Sequence, residues 1–376
     1  MKYLRPAYRD PGVRMESKLP AFGSTRIEVP RFETPITPRE NFKRAMDRNK
    51  PYWAPCSITD LQTIMAQDVV RTGEDGIVIH TDFRDDRNLT EEYRFIDWFG
   101  TDWTWVPEAG GAMLTPGTIL VEDMTEWEKV VKWPSMSDWD LRSVADHYMK
   151  NEYNPDLGMH YDIGRGLTER FISITGGYSE GMLALAEEPE ACKDFMDRYA
   201  DLVIELFDEV NSLYPLDMIT YHDDWGTERD TFFSERMLEE LVMESTKKII
   251  KHVQSKNVLF ELHTCGNIRR FMPHILEMGA DVLQIQRRAI DIPAFKKLYG
   301  DKISFCCPIE DFEPGQGTTR EELIQLVRNT VDVYGKDGGF YVMPFSRDPE
   351  ELWTILAELY GYSREYYDKV FIEPVK

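Results

Sequence analysis

The run Leu259-Phe260-Glu261-Leu262-His263-Thr264-Cys265 sets a carboxylate, an imidazole and a thiol at alternate positions. Alternate side chains of a strand point the same way, so Glu261, His263 and Cys265 share one face while Phe260 and Leu262 share the other. Imidazole and thiolate together form a zinc-type donor pair, and zinc held by three protein ligands keeps a fourth position open for substrate or water. The third ligand is expected from the adjacent pair Cys306-Cys307, with Cys307 chosen because it lies nearer the strand end. Glu261 is the alternative oxygen donor, or a carboxylate that orients His263 from behind. Read as packing alone, His263 is a hydrogen-bonded core histidine and Cys265 a small buried apolar residue.

A second cluster, Tyr221-His222-Asp223-Asp224-Trp225-Gly226, follows the apolar run Met218-Ile219-Thr220. Set at a strand end, His222, Asp223 and Asp224 would supply acid/base groups, Tyr221 a substrate contact and Trp225 a flat wall for a planar ring. A purely structural reading makes either aspartate a loop cap. The third cluster is Asp162-Ile163-Gly164-Arg165-Gly166. It lacks the third glycine of a dinucleotide loop, and Phe171 to Thr175 reads as a strand where that fold needs a helix, so a Rossmann reading is rejected. Arg165 remains suited to clamping a substrate carboxylate.

The elements that must position these groups alternate between short apolar runs and amphipathic helices, the pattern of parallel strands joined by crossovers. Eight strands are predicted: Tyr52 to Ile58, Ile77 to Thr81, Phe171 to Thr175, Met218 to His222, Val258 to His263, Val282 to Ile285, Ile303 to Cys307 and Phe340 to Met343. Eight is the number of a closed (β/α)8 barrel, whose sites lie where strands end and βα loops begin. Thr37-Pro38-Arg39-Glu40 starts the first helix, and Ser234, Thr318 with Glu321, and Asp348 start others. Residues 1–36 are expected to form an extended arm on the body or on a second subunit, as in a homodimer. The Trp-rich stretch from about Phe95 to Asp140 is expected as a hairpin insertion roofing the mouth of a single barrel domain over 37–376.

The 376 residues, 42% hydrophobic, can bury a large core. A formal charge of -23 repels phosphate backbones and anionic lipid, so nucleic acid is an unexpected partner. Five scattered cysteines fit a reducing compartment better than a disulfide framework. Neither a secretory leader nor an apolar run of about 18 residues is visible, so a cytoplasmic protein away from membranes is expected.

Five motifs carry a family resemblance: Thr37-Pro38-Arg39-Glu40-Asn41-Phe42, Asp97-Trp98-Phe99-Gly100-Thr101-Asp102-Trp103, Asp223-Asp224-Trp225-Gly226-Thr227, His263-Thr264-Cys265-Gly266-Asn267 and Gly279-Ala280-Asp281-Val282-Leu283. From Thr37 to Tyr360 the chain resembles the uroporphyrinogen decarboxylase superfamily, and within it the corrinoid-dependent methyltransferases. The resemblance implies a (β/α)8 barrel that passes a methyl group between a small substrate and the cobalt of a separate corrinoid protein, with zinc on the His-X-Cys pair. Two departures narrow it. The arginine-rich N-terminal clamp of true decarboxylases is missing before Thr37, which disfavours a tetrapyrrole lyase. Gly339-Phe340-Tyr341-Val342-Met343-Pro344-Phe345-Ser346 lacks the cysteine that thiol-methylating relatives place after the last strand. The expected activity is therefore demethylation of a methoxylated, aromatic compound, with methylcorrinoid:thiol methyl transfer as the alternative.

Overall fold

The computed structural model describes residues 14–18, 26–65, 91–107 and 111–372. Its strands are β1 (Arg14–Lys18), β2 (Arg26–Pro30), β3 (Leu61–Met65), β4 (Tyr93–Ile96), β5 (Asp102–Val106), β6 (Gly111–Leu114), β7 (Gly158–Ile163), β8 (Met218–His222), β9 (Leu259–Thr264), β10 (Val282–Ile285), β11 (Ser304–Cys307) and β12 (Phe340–Val342). Seven of them form one parallel sheet in the order β12-β11-β10-β9-β8-β7-β3. Just before β3, Cys56 bridges in parallel to Val342, with Ser57 N–H on Val342 O at 2.9 Å and Val342 N–H on Pro55 O at 2.8 Å. The two ends of the sheet meet through that segment, and the fold is a (β/α)8-type barrel.

Two predicted strands need revision, and a third falls outside the described residues. Tyr52 to Ile58 contributes only the bridge at Cys56, and the extended stretch comes later, at β3. Ile77 to Thr81 lies outside the described residues. Phe171 to Thr175 is the second half of the helix Leu167–Thr175, and the strand of that repeat is β7, which runs into Gly164. All six β7 residues are buried, yet Gly158-Met159-His160-Tyr161-Asp162-Ile163 alternates polar and apolar groups, so it shows no continuous apolar run. Thr319, one residue beyond the expected cap, starts its helix in a reciprocal box with Glu322.

The sheet's inner face is layered. At the bottom Leu61, Met218 and Val282 pack with Phe42, Ala45 and Met46 of the helix Pro38–Met46, which plugs the barrel. That helix begins as expected, Thr37 Oγ1 accepting the Glu40 N–H at 3.2 Å. Above lies a polar layer. Thr63 donates to His160 Nδ1 (3.0 Å), His160 Nε2–H to Thr220 Oγ1 (2.7 Å), Thr220 to Glu261 (2.8 Å), and Tyr341 OH to both Glu261 oxygens (2.9 and 2.8 Å). Burial, the dominant influence, pushes His160 down to about 4, keeping it neutral as this chain of donors requires.

The Trp-rich segment folds as the antiparallel sheet β4-β5-β6. Asp97 ties it to the barrel: Oδ1 accepts the Phe99 and Thr101 amides (each 3.0 Å), and Oδ2 accepts Trp103 Nε1 (2.9 Å) and pairs with Arg170. Both charged side chains are about 1% exposed. Among the described residues no helix is long and apolar enough to cross a membrane.

Asp97→Ala would strand Arg170 as a buried, uncompensated cation, an effect of about 3–5 kcal/mol. Denaturant unfolding checks this, and Asp97→Ala/Arg170→Met should recover much of the loss.

Candidate active site

The site is built where β8 and β9 lie side by side with Thr220 opposite Glu261 and His222 opposite His263. His263 and Cys265 project from the axial face of β9, with Cys265 Sγ 3.4 Å from His263 Nε2. Asp224 arrives from the loop after β8. Its Oδ1 accepts the Cys265 amide at 2.6 Å and stands 3.6 Å from His263 Nε2. The three donor atoms lie within 4.8 Å of one another. Tetrahedral bonds of about 2.0–2.3 Å put neighbouring donors about 3.5 Å apart, so this nitrogen, sulfur and oxygen set fits a single zinc-sized ion with one position open. His263 and Asp224 are each about one-fifth exposed, which leaves a way in.

Two loops cross to make this possible. Gly266 has φ +89°, and a Cβ there would sit 2.2 Å from the Gly226 carbonyl carbon. Asn267 N–H then bonds Thr227 O at 2.7 Å. The Asp-Asp-Trp-Gly-Thr and His-Thr-Cys-Gly-Asn motifs are thus two halves of one packed crossing, in which glycine permits backbone to touch backbone.

Two neighbours set the electrostatics. His222 packs against His263 with ring centroids 4.3 Å apart and forms an ion pair with Asp162, Nε2 to Oδ1 2.8 Å. Burial works against its charge, but the Asp162 carboxylate prevails and pushes His222 up to about 9. His263 is driven the other way, to about 4, by burial and then by the His222 charge. Burial, followed by the Asp224 carboxylate, raises the Cys265 thiol. Glu261, one layer deeper, is pushed up to about 7 by burial. A divalent ion among the donors would reverse the bias on Cys265 and favour thiolate.

The sequence model of the uroporphyrinogen decarboxylase (URO-D) family matches residues 172–344, a span holding Asp224, His263 and Cys265. Over that span the chain is similar to the uroporphyrinogen decarboxylase superfamily. No curated protein matches it in sequence. A solved methyltransferase from Methanosarcina mazei aligns over 68% of this chain and 72% of its own, at 12% identity and a TM-score of 0.53, and shares the fold. A chitinase of Ostrinia furnacalis (8% identity, 61% and 83% covered, TM-score 0.34) and a xylanase of Paenibacillus barcinonensis (11%, 61% and 83%, 0.34) overlap too loosely to carry an argument.

The axial face of the barrel gathers His222, Asp224, Glu261, His263 and Cys265, but four expected site residues point away from it. Cys307 points outward, its Sγ 3.9 Å from Phe305 O, and Cys306 takes the axial position. The register decides this, because Cys306 is paired with the inward Gln284 on one side and Tyr341 on the other. The side chain that completes the cluster with His263 and Cys265 is Asp224. Asp223 turns away and caps the helix Leu167–Thr175, accepting the Thr168 and Glu169 amides (2.9 and 3.1 Å) and Trp225 Nε1 (3.0 Å). Trp225 is fully buried and packs edge-on against Phe271. Tyr221 faces outward too, its hydroxyl accepting the Leu167 N–H at 2.7 Å. Strand, Gly-Arg-Gly loop and helix do follow one another here, but the helix start that would bind a phosphate already holds the Asp223 carboxylate, and Gly166 is needed because a Cβ would lie 2.4 Å from Asp223. Arg165, in that loop, stacks its guanidinium 3.5 Å from the Trp103 ring centre.

Asp162 and Gln284 were not singled out as site residues. Parity would have found both, since each lies on the inward face of a strand in register with a predicted site residue or its neighbour. Zinc content measured after loading should match the parent in Cys307→Ala and fall to background in Cys265→Ala and Asp224→Ala; loss in Cys307→Ala would contradict the geometry.

Proposed function

We propose that this chain is a methyltransferase that demethylates a methoxylated aromatic compound and passes the methyl group to the Co(I) of a corrinoid carried by a separate protein. The observation that carries this reading is that the third donor beside His263 and Cys265 is the Asp224 carboxylate and not a second cysteine. Each added thiolate donates charge and weakens the acidity of a bound ion; one thiolate, one carboxylate and one neutral imidazole leave it acidic enough to polarise an ether oxygen. The match of residues 172–344 to the uroporphyrinogen decarboxylase family and the fold shared with the Methanosarcina mazei methyltransferase support the same reaction class.

An aryl methyl ether resists demethylation because its leaving group is a phenolate. As the methyl carbon departs, the C–O electron pair stays on oxygen and needs a cation or a proton. A zinc ion on Asp224, His263 and Cys265 would supply Lewis acidity there when bound. His222, held by Asp162 beside His263, is the proton donor to the phenolate. Glu261 accepts from Thr220 and Tyr341 in the layer below, which fixes the base of the site. Arg165 on Trp103 offers a planar cation to a substrate carboxylate. The Tyr178 ring packs tilted against Phe232, centroids 4.3 Å apart, and Tyr178 is itself partly exposed, an apolar surface suited to a docked protein.

Incubation with Co(I) cobalamin and methoxylated benzoates, read by mass spectrometry, should give the phenol and methylcobalamin in equal amounts. His222→Phe should lower kcat by about 100-fold or more. Transfer from methylcobalamin to a thiol, with no reaction of any methoxyarene, would overturn the proposal in favour of thiol methylation.

A further inference from the structure

His263 can ligate an ion through Nε2 only if its proton sits on Nδ1, and one side chain decides where that proton is. Gln284, directly opposite His263 in the β9–β10 register, places its Oε1 against His263 Nδ1. The amide's other end is also engaged: Nε2 donates to Cys306 Sγ at 3.2 Å and to Met343 Sδ at 3.5 Å. A thioether has no hydrogen to give, so Met343 can accept from the NH2 group and has nothing to offer a carbonyl oxygen. Flipping the amide would face Met343 with oxygen and His263 with NH2. Nδ1 would then have to accept, the proton would move to Nε2, and the ligand lone pair would be lost.

We propose that Gln284 is the positioning residue of the metal site, and that Met343 fixes the orientation of its amide. This rests on the Asp224–His263–Cys265 metal reading and adds to it the group that selects the His263 tautomer. The environment is built for that task. Gln284 is 7% exposed, Cys306 3% and Met343 9%, so water does not compete for the amide. Cys265 approaches Nε2 from the opposite side, as a thiol donating to a free lone pair would. Met343 sits in the segment after the last strand that lacks a cysteine, where it serves the site through Gln284 without binding the ion.

The test is titration of the metal-free protein with Co(II) and with Zn(II) against a competing chelator, reading affinity and the visible Co(II) bands. Gln284→Leu keeps the volume and removes the acceptor. It should bind about 10–100-fold more weakly, the usual effect of removing a partner behind a metal-bound histidine. Gln284→Glu restores an oxygen opposite Nδ1 and should return affinity to near the parent's, with the parent's Co(II) spectrum. Thermal unfolding of the metal-free variants separates a folding defect from a ligand defect. Parent-like affinity in Gln284→Leu, or equal losses in Gln284→Leu and Gln284→Glu with folding intact, would overturn the role of Gln284 alone. Failure of the parent to bind either ion would remove the metal site and, with it, this inference.

Discussion

The pairing of β8 with β9 is the constraint on which the site depends. Their parallel register sets His222 beside His263, and the turn that follows sends Asp223 and Asp224 to opposite sides. Asp223 N–H bonds His263 O at 3.0 Å, and Asp224 Oδ1 returns to the Cys265 amide. One carboxylate thereby caps the helix Leu167–Thr175 while its neighbour joins the donors. A one-residue slip in this pairing would exchange inward and outward residues and dissolve the cluster, as side chains alternate along a strand.

The barrel stacks three environments along its axis. An apolar floor under the plug helix gives way to the hydrogen-bonded layer of Thr63, His160, Thr220, Glu261 and Tyr341, and that to the ionisable mouth. The middle layer is fully partnered, which lets polar groups exist in a buried interior and holds the β9 backbone still beneath the donors. Rigidity there matters because ligand geometry tolerates errors of only about 0.5 Å.

Much of this was legible in the sequence. Alternation along Leu259 to Cys265 identified the inward face of β9, and the apolar runs of β8, β10, β11 and β12 marked their strands. What was not legible has physical causes. β7 alternates inward His160 and Asp162 with outward Met159, Tyr161 and Ile163, so burial on both faces left no apolar run to find. Phe171 to Thr175 is fully buried, so its helix has no polar stripe and resembles a strand. The choice between Cys306 and Cys307, or between Asp223 and Asp224, is a matter of parity by one residue. It is fixed by neighbouring strands and by a helix end more than 50 residues away in sequence, as the bond from Asp223 to Thr168 shows, and adjacent residues of the same type carry no local signal of it.

The central claim is that one thiolate, one imidazole and one carboxylate, brought together by two neighbouring strand ends, share a single ion. X-ray absorption of the zinc-loaded protein reads that donor set directly. The account predicts one sulfur at about 2.3 Å and the remaining donors as nitrogen or oxygen at about 2.0–2.2 Å. Two or more sulfurs, or none, would contradict it.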